Sequence, residues 1–433
     1  MPIDGMQVKS NLPEAAQRRF ARLALTLIFF CGWIGSPGLV GGADDAIIQD
    51  HYIIKLRPNQ NAAAVANEMA LSHGLGLGHI YRHALHGFSA FVPQGRLNAL
   101  RSDPRILSIV ADRYLSIDKP PCASCGGGGG AGTQPPQVIP TGILRINGDL
   151  SSTQSGNGAG SVNVDVAVID TGIYNHADLN VVGGKNCSTG KGYNDGNGHG
   201  THVAGTIAAK DNAIGVVGVA PGARLWAVRV LNNAGSGSWA SVICGIDFVT
   251  ANSSIIKVAN MSLGGSGSAG SCNDGGLREA ICNSVSMGVT YVVAAGNESE
   301  DTASHVPAAY DEVITVSALA DFNGEPGGSA NPTCRTDVDD TLADFSNYGA
   351  DVAIIAPGVC ILSTWKDGGY ATISGTSMGS PHVAGAAALY LSAHPNASPA
   401  EVKTALQAAG STNWNNIDDP DGIQEPLLDV SSF

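Results

Sequence analysis

The chain has 433 residues, with 23 Lys+Arg against 37 Asp+Glu, a formal charge of −14 and 43% hydrophobic residues. That apolar content excludes a disordered chain, and the acidity excludes a nucleic-acid binder or a polybasic membrane-surface protein, both of which need net positive charge. Charged residues are only 14% and Gly reaches 57, which suits a loop-rich secreted enzyme better than a helical bundle; at about 100–200 residues per domain, the length suggests two or three domains.

The charge is unevenly spread. Residues 1–136 carry 12 Lys+Arg and 9 Asp+Glu, whereas residues 137–433 carry 11 and 28. At the N-terminus an apolar block, Leu23–Ile34, follows Arg18, Arg19 and Arg22 and precedes Gly38, Gly41, Gly42 and Ala43. A basic region, a short apolar region and a small-residue exit describe a secretory signal over 1–43. An uncleaved anchor is the alternative. No other stretch reaches 18 apolar residues, so the processed chain is expected to be free of the membrane.

Residues 51–118 read as a small α+β unit. Strands are expected at Tyr52–Leu56, His79–His83, Gly87–Val92 and Ile106–Val110, and helices at Ala62–Ser72 and Gly95–Arg101. The order β-α-β-β-α-β is the ferredoxin-like pattern. Residues 119–136 form a linker, because Pro120-Pro121, Gly126–Gly130 and Pro135-Pro136 cannot hold a regular element. It also holds Cys122-Ala-Ser-Cys125, which would need two more nearby ligands to be a zinc site.

From Gln137 on, buried strands are expected at Val164–Ile169, Leu225–Val230, Ile256–Met261, Thr290–Ala295, Val313–Ser317 and Val352–Ile355. Helical patterns cover Trp239–Thr250, Leu277–Ser286 and Ser377–Ala393. The alternation predicts an α/β fold, a mainly parallel sheet with helices on both faces. This part also holds six Cys, which allow 15 pairings. Cys272 with Cys282, bracketing one short loop, is the first expected pair. Cys187–Cys244 and Cys334–Cys360 are expected to be the others, although the pairing stays open.

In such sheets a site lies beyond the carboxyl ends of the strands. Asp170 ends a buried strand. His199 opens a small-residue helix in Gly198-His199-Gly200-Thr201-His202. Ser377 opens the longest apolar helix in Gly375-Thr376-Ser377-Met378-Gly379. A hydroxyl is a poor nucleophile without a base, and the base needs an acid to fix its tautomer.

On these segments the chain, over residues 137–433, resembles the subtilisin-like serine proteases, in particular the extracellular branch similar to proteinase K. Asp…His…Ser is that family's chain order. The resemblance implies a secreted endopeptidase in which Asp170 orients His199, His199 is the general base and Ser377 the nucleophile. Asn297, in Ala294-Ala295-Gly296-Asn297, would join the Ser377 N–H as oxyanion donor. Ser262, Leu263 and Gly264 would pair with the substrate backbone from one side and Gly235, Ser236 and Gly237 from the other, with Trp239 at a more distal pocket. His176, His202 and His382 are read as packing or hydrogen-bonding residues. Gly379 departs from the family, which usually has Ala there.

The resemblance further implies a structural Ca2+, held by the side chains of Gln137, Asp178 and Asn212 and by carbonyls of Lys210, Ile214 and Val216. Asp337, Asp339 and Asp340 are read as a solvated loop rather than a second ion site. His86-Gly87-Phe88-Ser89-Ala90-Phe91 and Asp103-Pro104-Arg105 resemble the family's inhibitory prodomain, so the unit at 51–118 would act as intramolecular inhibitor and be cut away within 117–137. The expected partners are polypeptide substrates and the prodomain, with no nucleic acid, and the processed enzyme is expected to be monomeric and extracellular. A silent binding protein or an exopeptidase on the same scaffold are the alternatives.

Overall fold

The computed structural model describes residues 46–117 and 134–433. The signal segment and nearly all of the linker, with Cys122 and Cys125, lie outside the described residues. The N-terminal unit contains β1 (Ile47–Leu56), α1 (Ala62–His73), β2 (Gly76–Tyr81), β3 (Gly87–Phe91), α2 (Leu97–Arg101) and β4 (Ile106–Ser116). The strands form an antiparallel sheet in the order β2-β3-β1-β4, the ferredoxin-like arrangement. Its two faces have different fates. Ile54, Leu56, Met69, Phe88 and Leu100 form the unit's own core under its helices. Ile53, Tyr81 and Leu85 point the other way and belong to a core shared with the C-terminal part. The strand period of two makes that division possible within one β-strand.

The larger part adds α3 (Thr141–Arg145), β5 (Asp165–Asp170), β6 (Val181–Asn186), α4 (His199–Ala208), β7 (Arg224–Arg229), β8 (Ser236–Ser238), α5 (Trp239–Ala251) and β9 (Ile256–Met261). It continues with β10 (Gly265–Ser266), α6 (Leu277–Ser286), β11 (Thr290–Ala294), β12 (His305–Val306), β13 (Ile314–Ala320), β14 (Thr341–Leu342) and β15 (Val352–Pro357). A hairpin, β16 (Ile361–Thr364) and β17 (Tyr370–Ile373), precedes α7 (Thr376–Ala393) and α8 (Pro399–Ala409). The main sheet runs β14-β13-β11-β9-β5-β7-β6, with β15 also on β13; every pairing except β13–β14 is parallel. Val166 and Val168 face a core that includes residues of α4, α7 and α8, while Ala167 and Ile169 face one that includes residues of α5 and α6. The expected α/β architecture, with helices on both faces, is thus present.

Three details differ from the sequence reading. β4 runs six residues past the expected end at Val110, because it pairs beyond its own unit with β8. Neither the polar, glycine-containing β6 nor the helix α8 is among the expected elements; β6 is hydrogen-bonded to β7, and α8 opens on the capping box of Ser398 and Glu401 and buries Val402 and Leu406. Asp337, Asp339 and Asp340 are buried, not solvated. Buried carboxylates need donors, and these find them: Asp339 accepts from Phe322 and Ala330 N–H, and Asp340 binds Arg145 and the Gly327 and Gly328 N–H groups. All three expected disulfides are formed, Cys187–Cys244, Cys272–Cys282 and Cys334–Cys360.

Candidate active site

Asp170 is the last residue of β5 and is fully buried. Its two oxygens lie 2.9 Å from His199 Nδ1, and Oδ1 also accepts the Thr171 N–H at 2.6 Å. An ionised carboxylate can only accept, so the proton sits on Nδ1 and leaves Nε2 as the basic nitrogen. That Nε2 is buried and has no hydrogen-bond partner among the described residues. The backbone just before the histidine requires glycine: Gly198 has φ +114°, and a Cβ there would lie 2.5 Å from the Trp365 ring.

The sequence reading missed the residue that holds this junction together. Asp195 is buried, and its Oδ1 accepts from Thr171 Oγ1 and from the Asn197 and Gly198 N–H groups. Its Oδ2 accepts from the Thr201 N–H and hydroxyl. Thr171 Oγ1 in turn accepts the Gly200 N–H. One carboxylate therefore ties the end of β5 to the first turn of α4, where an anion is favoured by unsatisfied N–H groups. An Asp four residues ahead of His199, before a helix start, was the available signal.

Ser377 lies in the first turn of α7, where N–H groups have no intrahelical acceptor. Pro381, four residues on, has no N–H to bond the Ser377 carbonyl. Ser262 Oγ donates to that carbonyl instead, at 2.9 Å. Asn260 Nδ2 donates to Ser262 Oγ and Ser380 Oγ donates to Asn260 Oδ1, so a buried polar chain fixes the turn. The Ser262 side chain thus supports the turn that carries Ser377. Ser377 Oγ donates to the Ser262 carbonyl at 3.3 Å. At Gly379 a Cβ would sit 3.1 and 3.2 Å from the Ser317 and Ala356 carbonyls, a tight fit that a shift of a few tenths of an ångström would relieve.

Asn297 is half-buried. Its Oδ1 accepts the Thr376 N–H at 2.8 Å and the Thr376 hydroxyl at 3.1 Å. Two donors on the oxygen fix which way the amide faces, so its NH2 end is turned away from Thr376. Asn297 and Ser377 line one pocket together with Leu263, Gly264, Ala295 and Thr376. His305 lines it too, and Glu298 lines the adjoining pocket beside Gly264 and Ser266. His305 Nε2 is 3.1 Å from Glu300 and Nδ1 is 3.6 Å from Glu298. None of these polar groups was among the expected site residues.

The cleft is occupied by the end of the N-terminal unit. Tyr114, Leu115 and Ser116 pair antiparallel with Ser238, Gly237 and Ser236. On its other side Ser116 exchanges two hydrogen bonds of 3.2 Å with Gly264, and the Ile117 N–H donates to the Gly235 carbonyl at 3.0 Å. The segment is thus the middle strand of three. Trp239 meets it through the Arg113 guanidinium, 5.5 Å from the indole. Elsewhere in the interface Tyr81 OH donates to the Ala240 carbonyl, Asp112 accepts the Ala240 N–H at the start of α5, and Lys55 pairs with Glu279 at 2.5 Å.

His202 and His382 are fully buried; burial pushes them down to about 3 and about 4, so both are neutral. His202 Nε2 donates to the Ile361 and Ala371 carbonyls, and His382 Nδ1 to Met378. His176 Nε2 donates to the Gly369 carbonyl.

Gln137, Asp178 and Asn212 are brought together. Gln137 Oε1 accepts the Asn212 N–H at 2.6 Å, and Asn212 Nδ2 donates to Asp178 Oδ1 at 2.7 Å. Asp178 is fully buried, accepts the Val216 N–H and has its carboxyl raised, chiefly by burial. Lys210 N–H donates to the Asp178 carbonyl, and Ile214 N–H to Asn212 Oδ1. The oxygen-rich set fits a hard cation, provided that Asn212 turns its amide oxygen toward Asp178. Cys272, Cys282 and Glu312 also converge, but both sulfurs are consumed in a disulfide and are not thiolate ligands.

The subtilase family model matches residues 161–422. The chain is 43% identical over 303 residues to subtilisin DY of Bacillus licheniformis, covering 68% of this chain and 98% of that protein. It is 36% identical over 406 residues to alkaline serine exoprotease A of Vibrio alginolyticus, covering 89% and 68%. A crystal structure of a cold adapted subtilisin-like serine proteinase superposes with a TM-score of 0.53 at 34% identity, covering 65% of this chain and 97% of that one.

Proposed function

This chain is a serine endopeptidase of the subtilase family, and on that premise we propose that it is secreted as a precursor whose N-terminal unit inhibits it until self-cleavage. Asp170 holds His199, which takes the proton of Ser377 as that hydroxyl attacks the peptide carbonyl. The developing oxyanion is met by Asn297 and the Ser377 N–H. The His199 proton then passes to the leaving amine, and water releases the acyl group by the reverse sequence. His199 Nε2 and Ser377 Oγ are not hydrogen-bonded to each other in this state, and rotation of the serine side chain would make that bond.

The observation that carries the reading is the strand Tyr114–Ile117 seated between Gly235–Ser238 and Gly264. Backbone pairing on both edges is how an extended peptide is held regardless of sequence, so the same rails would take substrate. A chain that enters this way presents the bonds after Ile117 to the serine, and the cut falls within 117–137. Residues 1–43 act as the export signal. Among the described residues no helix is long and apolar enough to cross a membrane. Calcium at Gln137, Asp178 and Asn212, with the carbonyls of Lys210, Ile214 and Val216, would pin the loop after α4 without entering the chemistry. The processed enzyme acts on polypeptides as a monomer.

Expression of the full chain beside Ser377→Ala tests this. Wild type should yield a new N-terminus within 117–137 and hydrolyse casein; Ser377→Ala should do neither. A folded wild type that stays uncut and leaves casein intact would overturn the proposal.

A further inference from the structure

The backbone register of the cleft says which residue of a bound chain meets the serine. Ser116 and Gly264 exchange both of their hydrogen bonds. In an antiparallel ladder the next such pair lies two residues on along each strand. On the catalytic side that residue is Ser262, whose carbonyl also accepts the Ser377 hydroxyl at 3.3 Å. A substrate residue bonded through its N–H to the Ser262 carbonyl therefore brings its own carbonyl beside Ser377. Its side chain enters the pocket that Asn297 and Ser377 line. This step rests on the cleft being the substrate's path, as proposed above.

The walls of that pocket are nearly bare, built from Gly264, Gly265, Ala294, Ala295 and Gly296. Such walls would suit a deep slot for an aromatic side chain, yet only about 10 Å³ is left for the centre of a water molecule. His305 takes up the depth. β12 pairs antiparallel with β10, with His305 opposite Ser266, which sets it at the end away from Ser262 and Ser377. It is 8% exposed. Its ring is held at both nitrogens, by Glu300 at 3.1 Å and Glu298 at 3.6 Å, so it is not free to swing aside. Glu298 is itself fixed, accepting the Asn297 N–H at 2.9 Å and the Asn347 side-chain amide at 2.8 Å. We propose that His305, clamped by Glu298 and Glu300, is the specificity-determining residue of this pocket: it blocks the inner end and selects polypeptides with a short side chain, such as Ala or Ser, before the cut bond. The two carboxylates do not make the pocket one for Lys or Arg, because they are spent on His305 and, for Glu298, on two N–H donors as well.

The test uses enzyme matured from the full chain and three tetrapeptide anilides that differ only in the residue before the cut bond: Ala, Phe or Lys. Wild type should favour Ala over Phe by at least about tenfold in kcat/KM, the scale on which pockets discriminate by size. His305→Ala should move that ratio toward Phe by at least about tenfold. Glu300→Gln, which weakens the clamp, should move it the same way by less. A wild type that prefers Phe or Lys, or a His305→Ala ratio within about threefold of wild type, would overturn the proposal. Should His305→Ala fail to fold, the wild-type order of the three peptides decides. A chain that cuts none of them and leaves casein intact overturns the reading of the cleft itself, and this proposal with it.

Discussion

Asp247→Ala should loosen the N-terminal unit, the proposed inhibitor, without harming catalysis. Asp247 lies late in α5, and its Oδ1 accepts three backbone N–H groups of the N-terminal unit: Arg82 at 2.9 Å, His83 at 2.6 Å and Ala84 at 2.9 Å. Three donors converging on one anionic oxygen form a nest. Hydrogen bonds to a charged group contribute about 1.5–3 kcal/mol each when dry. Here the contacts with Arg82 and His83 are exposed, so water replaces much of what is lost. A total of about 2–4 kcal/mol is the reasonable sum, which is about 30- to 1000-fold in dissociation constant. The remaining contacts, Tyr81 to Ala240, Asn283 to Ala84 and Lys55 to Glu279, should still permit docking. Asp247→Asn keeps an acceptor without the charge and should fall between. The assay is inhibition of the processed enzyme by the N-terminal unit, read with a short chromogenic peptide. An inhibition constant changed less than about threefold, below about 0.7 kcal/mol, would refute the argument. So would an equal fall in kcat/KM, because Asp247 touches neither His199 nor Ser377 in the proposed chemistry.

Other outcomes follow from the same structure. Asn297→Ala should lower kcat by about 100- to 1000-fold, about 3–4 kcal/mol, with KM little changed; this is the size known for the oxyanion-hole amide of subtilisin, itself a member of the family. Steady-state kinetics that put the loss in KM would contradict the role. The disulfides Cys272–Cys282, Cys334–Cys360 and Cys187–Cys244 close spans of 10, 26 and 57 residues. Paired Cys→Ala variants should lose about 3, 3.5 and 4 kcal/mol in that order by loop entropy, measured by denaturant unfolding of Ser377→Ala. Asp321, whose carboxyl burial pushes up to about 7, lies beside Arg145. A raised folded-state value means that its stabilising contribution is full below about pH 4 and is lost as the pH rises through about 7. Asp321→Asn should therefore flatten the fall in unfolding free energy between about pH 4 and 7, by about 2–4 kcal/mol; an unaltered slope would count against the assignment.

What the residues alone disclosed was the local grammar. Buried strands and apolar helices impose periods of two and 3.6, and these placed the sheet, the long helices and the polar residues at their ends. Asp170, His199 and Ser377 stood out at the ends of strands and helices beside small residues, and Asn297 followed from the family resemblance. Long-range partners are another matter. β4 reaches Ser116 only because β8 and Gly264 offer it edges, and those lie more than a hundred residues away. Asp195 is an ordinary loop acid until folding sets Thr171 beside it. The same holds for Asp339 and Asp340, read as solvated and found buried against N–H groups and Arg145, and for Asp419 and Glu425, buried against each other. An acidic residue brings the same ionisable group to every context. Whether that group is solvated or paired depends on what the fold places around it, and only the tertiary structure decides that.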